Sequence, residues 1–250
     1  MPEPRALGGG RAAEDYEHGR PGWPDEVVDP LVRELALDRG AHVVDLAAGT
    51  GKLTRQLVTR FACVYAVEPD ERMRALLDKT APTAVSSAGF GEDIPLPDSC
   101  ADAVFCAEAF HWFDAAAALA EIERVLRPEG GLALLWSPRW DFDPPIPAAV
   151  EARLDQVYEQ SGPPGSAKFD TGDWKEALPG SGFGPIQQTV VEHETEVDRD
   201  QVVSLTLSIS SVAALEREER DELAAFLRRE LAPTYRMPIV TELYWTRLTP

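Results

Sequence analysis

Basic residues are scarce: 24 lysines and arginines stand against 43 aspartates and glutamates, a formal net charge of −19 over 250 residues. That balance argues against an electrostatic nucleic-acid footprint, which needs clustered cations, and disfavours anionic membrane surfaces. Cysteine is equally sparse. Cys63, Cys100 and Cys106 show no C-x-x-C spacing, and Cys63 and Cys106 lie inside apolar runs, so buried free thiols are expected. The four histidines, His18, His42, His111 and His193, are scattered without H-E-x-x-H or any other ligand spacing, so no metal site is expected. Apolar runs such as Leu132 to Trp136 are far too short to span a bilayer. With no signal-peptide pattern, a reducing cytoplasm is the expected setting. The 44% hydrophobic content is enough for an ordinary buried core in one α/β domain.

The chain is organised around HVVDLAAGTGKL, His42 to Leu53. A short apolar run ends in Asp45, small residues and two glycines follow, and a helical pattern runs from Thr50 to Arg60. This spacing predicts strand, tight turn and helix, the opening unit of a doubly wound α/β fold, whose ligands bind beyond the carboxyl ends of the strands. Gly49 and Gly51 allow a ligand against bare backbone. Asp45 can organise that loop or attract a cation. Two phosphate signatures fail on spacing. Thr54 stands where G-x-G-x-x-G needs its third glycine, and Gly51-Lys52 is followed by Leu53 with no glycine five residues earlier.

A second apolar strand, Cys63 to Val67, ends in Glu68-Pro69-Asp70, about 20 residues past the glycine turn, where dinucleotide folds place a ribose-binding acid. Glu68 can accept two hydroxyls from a ribose diol or cap the helix Glu71 to Leu77. Thr83 to Ser87 reads as a weak strand and Ala103 to Ala107 as a clear one. Asp114 caps an alanine-rich helix reaching Leu126, and Leu132 to Trp136 is a fifth strand. Beyond it, Ser137 to Pro147 is aromatic and proline-rich, Ala148 to Gln160 is helical, and Gly162 to Gly184 is a long loop with a helical piece around Trp174 to Leu178. Pro185 to His193 and Ile239 to Leu248 read as strands, Asp198 to Leu207 and Ala213 to Leu231 as helices. The expected division is a disordered tail, 1–12, a Rossmann-like core with an N-terminal lid, 13–136, and cap helices with the last two strands of the same sheet, 137–250, making one domain overall. In the lid, Tyr16 and Trp23 flank Arg20.

Four segments in order, Asp45-Leu-Ala-Ala-Gly-Thr-Gly51, Phe90 to Asp98, Cys106 to Asp114 (CAEAFHWFD) and Arg124 to Gly131 (RVLRPEGG), resemble the class I S-adenosylmethionine-dependent methyltransferases, in particular the type-11 group near the trans-aconitate methyltransferases. The segment VSLTLSISSVAAL and the closing Tyr-Arg-x-x-x-x-Thr-Glu-x-Tyr-Trp extend the resemblance over nearly the whole chain. It implies a Rossmann-like doubly wound seven-stranded α/β sheet, the last strand antiparallel, with a helical cap. It implies S-adenosylmethionine as cofactor, giving S-adenosylhomocysteine, with no metal. Cofactor contacts are then expected from Asp45, Ala47, Gly49, Thr50, Gly51, Glu68, Pro69, Phe90, Gly91, Glu92, Ala107 and Tyr16. Phe90 stands where the family has an adenine-contacting acid, so ring stacking replaces that hydrogen bond. Arg20, Trp23, Phe110, Trp112, Arg139 and Trp140 are expected at the substrate, the arginines as carboxylate forks and the aromatics as pocket walls. His111, Asp141 and Glu108 are candidate bases, although His111 can equally shape its loop.

The expected partner is a small-molecule methyl acceptor, with no nucleic acid and no membrane, for a monomer or homodimer. Three rivals stay open: a non-catalytic cofactor-binding regulator, a nicotinamide-dependent oxidoreductase, and a non-methylating reaction on the same fold.

Overall fold

The computed structural model describes residues 12–161 and 167–249; the expected tail lies outside them except for Ala12. In chain order, helices Ala13–Gly19 and Asp25–Glu34 precede strand β1 (His42–Leu46). Helix Thr54–Arg60, β2 (Cys63–Val67), helix Glu71–Thr80, β3 (Val85–Ser87) and β4 (Ala101–Ala107) follow. A 3₁₀ turn, Phe110–Trp112, leads to helix Ala115–Val125 and the long β5 (Leu126–Trp140). Then come helices Ala148–Ser161 and Ala167–Asp170, the 3₁₀ turn Asp173–Lys175 and β6 (Gln187–Asp198). Helices Arg199–Leu207, Ser210–Ala213 and Arg217–Glu230 precede β7 (Thr234–Arg247).

The strands form one seven-stranded sheet in the order β3-β2-β1-β4-β5-β7-β6. The pairs β2–β3, β1–β2, β1–β4 and β4–β5 are parallel, and β7 is antiparallel. This is the expected Rossmann-like arrangement. The chain leaves β1 toward β2 on one side and later returns to β4 on the other, creating the switch point at which such sheets bind ligands.

By contacts the chain forms two compact units, one of Met1–Pro21, Arg139–Ala167 and Glu192–Val240, the other of Gly22–Pro138, Lys168–Val191 and Thr241–Pro250. Strands β5, β6 and β7 run from one into the other. The second unit holds the parallel strands. Alternation sends Val44, Cys106 and Leu134 to one face, against Leu119 and Ile122 of helix Ala115–Val125. It sends Val43, Phe105 and Ala133 to the other, against Val28 and Leu31 of helix Asp25–Glu34. Helices on both faces explain why these strands read as unbroken apolar runs.

The first unit has its own core, in which Val202, Val203, Leu223, Leu227 and Met237 are buried. Helix Arg199–Leu207 opens on a capping box between Asp198 and Gln201, a pattern visible in the sequence. Helix Ala13–Gly19, the expected lid segment, belongs to this unit rather than to the core.

Several boundaries moved for local reasons. Helix Thr54–Arg60 begins four residues later than expected because Gly49 and Gly51 hold φ of 59° and 87°. The expected Ala213 to Leu231 helix is broken at Glu216, whose ψ of 153° is extended. Asp70, not Glu68, caps helix Glu71–Thr80, its carboxylate accepting from the Arg72 and Met73 N–H groups.

Gly19 rests on the neighbouring helix: a Cβ there would lie 2.0 Å from the Leu205 backbone nitrogen. Backbone cannot move aside as a side-chain tip can. Gly19→Ala is therefore expected to destabilise the protein by about 2 kcal/mol or more, read as a lower urea midpoint; an unchanged midpoint would show that the two helices can separate without cost.

Candidate functional site

Because β1, β2, β4 and β5 are parallel, the residues that follow their carboxyl ends gather at one edge of the sheet. These are Ala47 to Gly51, Glu68, Glu108 and, in β5 itself, Trp136 and Ser137. The turn after β1 carries three left-handed residues, Ala47, Gly49 and Gly51. At position 51 a Cβ would also press on Leu77 and Thr80, both at 3.2 Å, so glycine is required there twice over.

Two carboxylates hold this turn. Glu68, 5% exposed, accepts from the Gly49 N–H at 2.8 Å through one oxygen and from the Asp70 N–H at 2.8 Å through the other. Burial raises its pKa, against the lowering effect of those two bonds. Each carboxylate oxygen has a second lone pair, so the acid can still accept hydroxyl groups. Asp45 lies beneath the turn, 1% exposed, and its carboxylate accepts from Thr54 Oγ1 at 2.5 Å. Burial, opposed by the Thr54 bond and reinforced by the Glu68 charge, pushes Asp45 up to about 7.

This geometry corrects part of the expected contact set. Asp45 and Thr50, at 1% and 0% exposure, support the turn from inside and cannot touch a ligand. Thr54, which fails the dinucleotide pattern, serves Asp45 instead. Gly91 is small because the Phe113 ring would lie 2.7 Å from a Cβ there, and Glu92 accepts from the Asp114 N–H at 2.8 Å. Phe90 stands apart from these: its side chain is 49% exposed, unusual for phenylalanine. Ala47, Gly49, Pro69 and Ala107 are all part-exposed.

After β4, Glu108 adopts φ 58°, its N–H donates to the Leu135 carbonyl, and its Oε1 accepts from the Ser137 N–H at 2.6 Å. Its carboxylate thus ties two strand ends together. His111 Nδ1 accepts from Trp136 Nε1 at 2.9 Å. An indole N–H only donates, so a neutral His111 in this bond carries its proton on Nε2 and presents a donor there. That disfavours the base role and fits a positioning one. Trp136 is fixed by Phe169, Trp174 and Tyr244 at centroid distances of 4.7, 4.6 and 5.8 Å.

Two expected pocket walls are core instead: Phe110 is fully buried and Trp23 is 8% exposed. Trp112 is part-exposed, while Arg139 and Asp141 are exposed. In the first unit, Tyr16, Arg20 and Trp140 come together: the Arg20 guanidinium lies 5.4 Å from the Tyr16 ring centroid and 5.0 Å from that of Trp140. Sequence reasoning missed Ser137 and Trp136 as partners of Glu108 and His111, and Ser208 beside Arg20, since each reads as an ordinary strand or helix residue.

The raised Asp45 carboxyl makes a signed prediction. Its folded pKa lies above its unfolded one, so its contribution is complete below about pH 4 and is lost as pH rises through about 7. Asp45→Asn should match wild-type stability near pH 4 and exceed it at pH 8, by at most ~4 kcal/mol, measured by urea denaturation at both values; a pH-independent difference would contradict the burial effect.

The profile of the methyltransferase domain family matches residues 44–134, from β1 through β5. An uncharacterized methyltransferase of Mycobacterium tuberculosis is 46% identical over 134 residues, 54% of this chain and 54% of its own length; the chain thus matches about half the length of that relative. An uncharacterized methyltransferase-like protein of Schizosaccharomyces pombe is 33% identical over 221 residues, covering 88% of this chain and 84% of its own. A solved structure described as a type II methyltransferase, from Anaeromyxobacter dehalogenans, shares the fold with a TM-score of 0.65 at 24% identity, over 92% of this chain and 99% of that one. With the glycine turn, the anchored Glu68 and this sheet order already in place, the chain belongs to the class I S-adenosylmethionine-dependent methyltransferase family.

Proposed function

We propose that the protein transfers a methyl group from S-adenosylmethionine to a small-molecule acceptor. The observation that carries this reading is the Glu68 carboxylate, buried at the end of β2 and bonded to the Gly49 N–H of the left-handed turn. A ribose diol suits an acid with lone pairs left over, and bare backbone at Ala47 and Gly49 suits a ligand lying across the turn. The half-exposed Phe90 ring suits a stacked adenine. The donor set therefore fits the cofactor, whose sulfonium, when bound, supplies an electrophilic methyl group.

The remaining work falls to positioning, since in-line displacement depends on holding the nucleophile about 3 Å from the methyl carbon and excluding water. Trp136 fixes His111, so that Nε2–H can orient an acceptor oxygen. Glu108 holds its loop against Ser137, which keeps the carboxyl ends of β4 and β5 at a set spacing. The helices of the first unit supply the cap in this reading. An acceptor of modest size also agrees with the net charge of −19, which repels polyanions.

Calorimetric titration with S-adenosylhomocysteine and, separately, NAD tests the cofactor. Binding of the sulfur ligand without NAD is expected; NAD binding alone would overturn the proposal. Glu68→Gln keeps one acceptor oxygen but loses the charge, and should weaken S-adenosylhomocysteine by about 1–3 kcal/mol. Unchanged affinity would remove Glu68 from the ribose.

A further inference from the structure

In the first unit one cation is prepared for a partner that the protein does not supply. Helix Ala13–Gly19 is pinned at both ends, by Gly19 against the Leu205 backbone and by the Asp15–Arg220 ion pair at 2.6 Å. Arg20 leaves that helix with its N–H on the Tyr16 carbonyl. Its guanidinium lies over the Tyr16 and Trp140 rings, and its Nε donates to Ser208 Oγ at 3.1 Å. Ser208 is 5% exposed and spends its own proton on the Leu205 carbonyl at 2.7 Å, so its lone pairs are turned to Arg20.

Those contacts use one of five N–H groups. The terminal Nη1/Nη2 edge has no acceptor among the described residues. This is notable where 43 acids face 24 bases. Arg60, Arg124, Arg127 and Arg236 each hold a carboxylate, and Asp15, on Arg20's own helix, is held by Arg220. Arg20 is instead oriented by neutral groups alone, which fix its plane without discharging it. The ordering cost of an anion-binding fork is thereby met before any ligand arrives.

We propose that Arg20 is a carboxylate receptor, its Nη1/Nη2 edge forming the bidentate pair with a small ligand while Ser208, Tyr16 and Trp140 hold the fork. Stacking on ring faces leaves the edge in the guanidinium plane, which matches a planar carboxylate. Resting on the proposed function, the carboxylate has two sources: the amino-acid end of the cofactor or the methyl acceptor.

The test compares full-length wild type, Arg20→Gln and Ser208→Ala, each checked for an unchanged melting temperature. Probes are S-adenosylhomocysteine, 5′-methylthioadenosine, which lacks the amino-acid end, and citrate as a bare carboxylate. If the cofactor is the source, Arg20→Gln weakens S-adenosylhomocysteine by roughly tenfold to a hundredfold and leaves methylthioadenosine unchanged. If the acceptor is the source, S-adenosylhomocysteine affinity is unchanged and the thermal stabilisation of wild type by citrate disappears in the variant. Ser208→Ala, which keeps the charge but frees the fork, should give a smaller loss in the same arm. Equal weakening of both nucleosides, or no change with any probe, overturns the proposal. Absence of nucleoside binding to wild type would defeat the cofactor reading alone, leaving the citrate arm to decide Arg20.

Discussion

The turn after β1 depends on a carboxylate that binds backbone. Glu68 sits on the neighbouring strand, one oxygen on the Gly49 N–H and the other on that of Asp70, so a single side chain fixes the turn after β1 and the entry to the next helix. Buried N–H groups left without acceptors would cost more than the bonds gain. Asp45 completes the support from below through Thr54. The glycines can therefore hold left-handed conformations that an unsupported loop would not keep.

That arrangement presupposes the sheet. Register pairs Asp45 with Ala66 on one side and Phe105 on the other, so the ends of β1, β2 and β4 come level. Alternation then sends neighbouring residues to opposite helices, and each strand must be apolar on both faces. The fixed level of the strand ends is what lets Glu68 reach a turn 19 residues earlier and Glu108 reach Ser137.

Charge is handled differently in the two units. In the second, Arg127 clamps Asp102 through both carboxylate oxygens, and that acid also takes the His42 N–H; Arg124 bridges Glu121 and Asp98. These cations neutralise the chain's own acids. In the first, Arg20 is stacked on rings and left with its fork open, a use of arginine that depends on its planarity more than on its charge.

The sequence alone determined what is local. Apolar runs marked β1, β2 and β4, Asp-x-x-Gln marked the cap of helix Arg199–Leu207, and the strand, glycine turn and helix near His42 pointed to the sheet edge that carries the site. These follow from periodicity and backbone sterics, which neighbours in the chain control. Tertiary structure decided the rest. Trp23 and Phe110 have the same composition cues as pocket aromatics, yet they are buried, because burial depends on which helix lies across the sheet. Thr54 looked like a missing glycine until Asp45 was seen to need its hydroxyl. The orientation of His111 rests on Trp136, 25 residues away, and that of Arg20 on Ser208, 188 residues away. Such pairs share no pattern along the chain; folding alone brings them within hydrogen-bonding distance.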